Sequence, residues 1–259
     1  MYHHINLHKG DMVTITSAVF EGQMEYLYKA GYRTLKIDEL ISYMSGGLAL
    51  PQKAVVVTFD DGWLDNYLYA FPVLKKYKIN AAVFLITNRV ENASLRNSEL
   101  QTLNSKLTIP THKESKVLIE KGEDWKVVLN WKLIKEMLDS GLVEFYSHTK
   151  SHAKCSSLPE KEFMEELKES RQIIEKRLGS PCPYFCWPYG KYNDLAVDVA
   201  KKVGYKAIFT INHGVADAGS DPFAINRIIV KDSIAWFKKR MLIYASTILS
   251  RLYLKIKKK

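Results

Sequence analysis

Two adjacent carboxylates, Asp60 and Asp61, end the apolar run Val55-Val56-Val57-Thr58-Phe59 and are followed by Gly62. Neighbouring side chains on a strand point to opposite faces. Two carboxylates at a strand end that a glycine lets curl can therefore be splayed to different tasks, one holding a metal and the other taking a proton from water. Taken alone, Asp-Asp-Gly is an ordinary polar turn. Downstream lies His148-Thr149-Lys150-Ser151-His152, two histidines four residues apart. With one carboxylate they make a His, His, Asp set that leaves positions on a divalent ion open to water and substrate. A histidine pair by itself is more often two unrelated surface residues. A third cluster, Trp187-Pro188-Tyr189-Gly190, shifts that balance, because all three clusters follow predicted strands.

The run before Asp60 reads as a buried strand of a parallel sheet. Further strands are predicted within residues 1–7, 32–35, 81–86, 143–146, 184–187 and 207–211. Helical spacing covers 18–30, 37–44, 67–77, 131–140, 159–178 and 194–203. Strands alternating with helices predict an α/β architecture with a parallel sheet or barrel, and in such barrels the C-terminal strand ends carry the active site. Residues 88–124 are polar and lysine-rich without clean periodicity, and read as an insertion at the rim. The division is then one catalytic domain over 1–232 containing that insertion, and a C-terminal segment, 233–259.

A chain of 259 residues that is 47% hydrophobic can bury one substantial core. Much of its net charge of +10 sits at the C-terminus, where eight Lys and Arg residues and no acidic residue follow Asp232. From Ile234, apolar residues recur at Phe237, Met241, Ala245, Ile248, Leu252 and Ile256, a helical stripe among basic residues. Such a basic amphipathic helix over 234–259 suits an anionic membrane surface, the alternative being a helix packed on the barrel with a lysine-rich end. No nucleic acid is expected, because no binding motif is present and the basic residues interleave with the apolar stripe. The three cysteines, Cys155, Cys182 and Cys186, read as reduced thiols, although Cys182 and Cys186 are near enough in sequence to pair. No basic and then apolar leader opens the chain, so the expected location is the cytoplasm or the inner face of the membrane, with export only if a leader is missing.

Thr58-Phe59-Asp60-Asp61-Gly62, Ser147 to His152 and Trp187-Pro188-Tyr189-Gly190, in this order and over most of residues 1–230, resemble the polysaccharide deacetylases with a NodB-homology domain, carbohydrate esterase family 4. The opening Tyr2-His3-His4-Ile5 resembles in particular the branch that deacetylates poly-β-1,6-N-acetylglucosamine. The resemblance implies a distorted (β/α)7 barrel. It also implies a metal-dependent hydrolase that removes N-acetyl groups from an N-acetylated amino-sugar glycan, polymeric or lipid-linked, and releases acetate. Asp61, His148 and His152 would hold the divalent metal, Zn2+ or, as in some relatives, Co2+ or Ni2+. Asp60 would be the general base. The backbone N–H of Tyr189 would stabilise the oxyanion, its side chain serving only in packing. His3 would be the general acid, since no late Leu-x-His motif is present, with His213 as the fallback. Cys186 stands where many members carry an arginine, and is expected to be a buried thiol rather than a ligand. Arg227 is expected to replace that arginine by pairing with Asp60. Trp131 and Trp187 are expected in the core rather than stacked on sugar. The rival reading is a catalytically inactive barrel that binds glycan or membrane, against which the retained Asp60, Asp61, His148 and His152 speak.

Overall fold

Each apolar run is short, rich in β-branched or aromatic residues and followed by a segment of helical periodicity, the pattern that builds parallel sheets covered by helices. The computed structural model describes residues 1–96, 109–155 and 158–257. Two short parallel pairs flank its main sheet: β1 (His4–Asn6) with β2 (Thr14–Thr16), and β3 (Arg33–Thr34) with β4 (Ala54–Val55). The main sheet contains β5 (Val57–Asp61), β6 (Ala81–Leu85), β7 (Val143–Ser147), β8 (Tyr184–Cys186), β9 (Ala207–His213) and β10 (Ile225–Arg227). Their spatial order is β10-β9-β8-β7-β6-β5, and every neighbouring pair is parallel.

The sheet curls, and the first residues of the chain close the gap between its edges. Tyr2 lies against β5, with its N–H donating to the Thr58 carbonyl (2.8 Å) and its carbonyl accepting from Asp60 N–H (3.0 Å). On the other side, the Met1 amino nitrogen donates to the Ile228 carbonyl at 2.9 Å, just beyond β10. The opening segment thus acts as the seventh stave of the (β/α)7 barrel that the motifs implied.

Side chains fill the interior. Phe59, Phe84, Phe185 and Phe209 are fully buried, and Phe84 packs on Phe209 with ring centroids 5.2 Å apart. Around them run α1 (Ser17–Lys29), α2 (Ile37–Met44), α3 (Phe71–Tyr77), α4 (Thr87–Ser94), α5 (His112–Glu120), α6 (Trp131–Asp139), α7 (Glu160–Leu178), α8 (Asp194–Val203), α9 (Ile234–Tyr244) and α10 (Thr247–Lys257). Side-chain caps start several of them: Asn130 accepts from Leu133 N–H at α6 and Asn193 from Ala196 N–H at α8. Register levels the strand ends, because Asp61 pairs with Leu85 and Leu85 with Ser147. Asp60, Asp61 and the residue after Ser147 therefore share one rim.

Two stretches differ from the sequence reading. The polar segment 88–124 holds most of α4, all of α5 and the first residue of a 3-10 turn at Asp124–Lys126, with Val90, Ala93 and Ile109 buried; residues 97–108 of it lie outside those described. Its buried residues are too few and too scattered to give a visible stripe. The C-terminal segment forms two helices instead of one, parted at Ala245 and Ser246. Phe237 and Met241 of α9 are buried, and the Tyr32 hydroxyl donates to the Met241 carbonyl at 3.0 Å, so this helix packs on the barrel. All three cysteines are buried and free.

Replacing a fully buried phenylalanine leaves a void that the surrounding strands cannot collapse into. Phe84→Ala is expected to lower stability in urea unfolding by about 3–5 kcal/mol. A loss under about 1 kcal/mol would mean that the barrel interior is not packed as described.

Candidate active site and metal centre

Asp61 is the last residue of β5 and has φ 77°, a left-handed conformation that turns its carboxylate away from the strand line. Gly62 follows with φ 74°, and a Cβ there would meet Leu85 Cδ2 at 2.8 Å, so only glycine continues this turn. His148 follows the last residue of β7, anchored by its N–H to the Leu85 carbonyl at 2.8 Å. Thr149 (φ 67°) and His152 (φ 64°) bend the next residues back, and the Thr149 hydroxyl accepts from His152 N–H at 2.9 Å. The loop thereby brings His152 beside His148. The two imidazole Nε2 atoms lie 3.5 Å (His148) and 3.4 Å (His152) from Asp61 Oδ1.

That oxygen is buried and has no hydrogen-bond partner, while Asp61 Oδ2 accepts from Trp63 Nε1–H at 3.0 Å. His148 Nδ1 lies 2.8 Å from the Cys186 carbonyl and His152 Nδ1 3.1 Å from the Tyr189 hydroxyl. Protons on the Nδ1 atoms leave both Nε2 lone pairs facing Asp61 Oδ1. An orphaned buried oxygen between two such nitrogens fits a divalent cation, and the second-layer bonds fix the ring orientations. Burial pushes the His152 pKa down to about 3, only partly offset by the Asp61 charge, so its ring is neutral and ready to ligate.

Asp60, one residue earlier, points into the barrel. Arg227 on β10 grips it with two parallel bonds, Nη1 to Oδ1 and Nη2 to Oδ2, each 2.7 Å. Burial alone would raise the Asp60 pKa, but the Arg227 charge and hydrogen bonds outweigh it and hold the carboxyl well below the usual carboxylate range. Cys186 completes this contact, its Sγ accepting from Arg227 Nη2 at 2.9 Å and lying 3.7 Å from Asp60 Oδ2. His3, delivered by the closing segment, sits with Nε2 3.9 Å from Asp60 Oδ2. Burial lowers the His3 pKa, while Asp60 and Asp61 pull it upward. The predicted residues Asp60, Asp61, His148, His152, His3, Arg227 and Tyr189 thus surround one small volume.

Two expectations need correction. The Tyr189 side chain does more than pack: its ring lies 4.5 Å from the His152 ring, it is 49% exposed, and its hydroxyl meets His152 Nδ1 at 3.1 Å. Tyr189 itself has φ 57°, a left-handed conformation within the 3-10 turn Pro188–Gly190. His213 bonds the Tyr244 hydroxyl and meets the Tyr244 ring edge-on, its own ring turned to the C-terminal helices. Trp187 is fully buried, stacked on Tyr192 with centroids 5.1 Å apart, and the half-buried Trp131 donates its indole N–H to Glu91 at 2.6 Å.

Sequence reasoning passed over a second layer. Trp63 steadies Asp61, and His4 stacks on the Trp63 ring at 4.1 Å between centroids. His4 Nδ1 meets the buried Asp65 carboxylate at 2.6 Å and its Nε2 meets His112 Nδ1 at 3.0 Å. The adjacency of His3 and His4 on a strand was the available signal: one faces the site, its neighbour the layer behind it.

Trp63→Phe keeps the ring and deletes the N–H to Asp61, and is expected to weaken divalent-metal affinity about 10–100-fold in a chelator competition. Unchanged affinity would remove Trp63 from the metal's support. Arg227→Met leaves Asp60 buried and unpaired, and a loss of about 3–5 kcal/mol in unfolding free energy is expected. For metal-free protein the sign of the pH effect follows from His152. Its folded pKa near 3 lies below the unfolded value, so the unfolded chain binds the proton first and stability falls as pH drops from about 6.5 toward 3. His152→Gln should flatten that slope in thermal melts.

A poly-β-1,6-N-acetyl-D-glucosamine N-deacetylase of Staphylococcus aureus (strain MSSA476) is 27% identical over 229 residues, covering 85% of this chain and 68% of that protein. Among solved structures, the Streptococcus pyogenes deacetylase PplD, in complex with acetate, superposes with a TM-score of 0.75 at 25% identity, covering 93% of this chain and 96% of that one. IcaB from Ammonifex degensii gives a TM-score of 0.72 at 26% identity, with 95% of each chain covered. The profile of the polysaccharide deacetylase family matches residues 48–208, a span that includes Asp60, Asp61, His148, His152 and Tyr189 but not His3 or Arg227. This match covers more than half of the chain, and the chain belongs to the polysaccharide deacetylase family.

Proposed function

We propose that the protein is a metal-dependent hydrolase that removes N-acetyl groups from an N-acetylated amino-sugar glycan, releasing acetate and leaving a free amine. One observation carries this reading: an unpaired, buried Asp61 Oδ1 faces two histidine nitrogens directly beside a carboxylate that Arg227 keeps ionised. Similarity to the Staphylococcus aureus poly-β-1,6-N-acetyl-D-glucosamine N-deacetylase supports the substrate class.

Asp61, His148 and His152 would hold the ion, with Zn2+ the best fit to two imidazoles and a carboxylate, and Co2+ or Ni2+ accommodated by the same donors. When bound, such an ion supplies Lewis acidity, making water acidic near neutrality and drawing charge onto an acyl oxygen. Asp60 takes the proton from the attacking water; as an ionised base fixed by two bonds to Arg227, it cannot rotate away. The backbone N–H of Tyr189 would stabilise the charge that develops on the acyl oxygen. His3, 3.9 Å from Asp60, supplies a proton to the leaving nitrogen, so water and amide become acetate and amine without a further reactant. Retention of the whole set weighs against an inactive binding barrel.

Metal content and acetate release from an N-acetylglucosamine oligomer, measured in parallel for wild type and Asp60→Asn, test this. Wild type is expected to carry about one equivalent of metal and to release acetate, and the variant to keep the metal and lose release. His3→Gln is expected to lower kcat by about 10²–10⁴ with the metal retained. A wild type that binds no divalent ion would defeat the enzymatic reading, and one that binds metal without releasing acetate would defeat the substrate class.

A further inference from the structure

α10 is built inside out. Its most exposed large residues are Ile248 (79%), Ile256 (65%), Leu252 (56%) and Leu249 (49%), whereas the residue it buries most deeply is Ser250, 3% exposed. At 100° per residue these four aliphatics fall within one arc of about 100°. The opposite side carries Ser250 and Leu254, and Tyr253 lies on the flank next to Leu249. Helices on a soluble barrel ordinarily turn such an aliphatic stripe inward, as α9 does with Phe237 and Met241.

Aromatic contacts hold the helix instead. Tyr253 packs edge-on against Tyr244 with centroids 5.9 Å apart, lies 6.5 Å from the His213 ring, and is covered by the Arg240 guanidinium at 4.3 Å. The orientation is therefore fixed by a cluster that leaves the aliphatic side free. His213 ends β9, so the helix stands at the C-terminal end of the strands, the rim on which Asp61 and His148 lie. No helix of the described residues is long and apolar enough to cross a membrane.

We infer that α10 docks the protein on an anionic lipid surface, lying in the plane of the headgroups with Ile248, Leu249, Leu252 and Ile256 inserted. Charge selects this occupant. Lys255 is exposed beside the stripe, Lys238 and Lys239 are exposed on α9, and no acidic residue follows Asp232. A second copy of the same segment would bring like charges together with no carboxylate of its own to offset them, whereas anionic headgroups satisfy both the stripe and its basic flank. Docked this way, the catalytic rim meets glycans at the level of the lipid headgroups. The inference stands on the helix alone, and its readout is binding rather than deacetylation.

The test is flotation of the full chain with vesicles of phosphatidylcholine alone or with roughly one-third phosphatidylglycerol. Wild type is expected to float with the anionic vesicles, to bind the neutral ones at least about tenfold more weakly, and to be released by salt. Leu252→Glu combined with Ile256→Glu is expected to lower anionic binding about tenfold or more, with wild-type near-UV dichroism, because both positions are exposed. Should that variant misfold, the salt and lipid dependence of wild type still decides. Vesicle binding that is absent in wild type, or unchanged in the folded variant, would overturn the inference. So would light scattering that finds a wild-type dimer and a monomeric variant, which would assign the stripe to a second copy.

Discussion

The structure depends on one buried ion pair. Arg227 lies on β10 and Asp60 on β5, the two edge strands of the curled sheet, so their paired bonds span the seam that the opening residues close. Taking two charges out of water is costly, and the cost is offset only where the remaining donors are satisfied. Here they are: Nε donates to the Thr210 carbonyl at 2.7 Å, Nη1 also approaches Thr58 Oγ1 at 3.3 Å, and Nη2 reaches Cys186 Sγ. The same network that completes the barrel keeps Asp60 ionised, which joins the stability of the fold to the chemistry of the site.

Strain is concentrated where the candidate metal ligands are aimed. Among the described residues, five that are not glycine have positive φ, and Asp61, Thr149, His152 and Tyr189 are four of them. Each conformation costs of order 1–3 kcal/mol and persists because its surroundings over-determine it. Leu85 is one such surrounding, anchoring His148 N–H on one side and walling the Gly62 turn on the other. The gain is geometric: two histidines from one loop and a carboxylate from another strand converge without a long side chain having to reach. Trp63, His4 and Asp65 extend this rigidity outward, so the carboxylate that faces both imidazoles is itself held by a stacked, hydrogen-bonded layer.

Much of this was legible in the chain itself. The alternation of apolar runs with helical periodicity determined a parallel α/β sheet or barrel, since a strand buried on both faces needs a continuous hydrophobic run and each crossover needs a helix; the choice of a barrel rested on the family resemblance. Asp60-Asp61-Gly62, His148 to His152 and Trp187 to Gly190 were identifiable because their neighbours mark strand ends, and strand ends of a parallel barrel share one rim. What local pattern could not carry was distance across the fold. That Arg227 grips Asp60, with Cys186 Sγ against the same guanidinium, depends on β10 and β5 meeting across the seam. That His3 faces the site while His4 supports it depends on Tyr2 joining β5. The direction of the α10 stripe was hidden for the same reason: periodicity shows that a helix has an apolar face, but only packing decides whether that face turns toward the barrel or away from it.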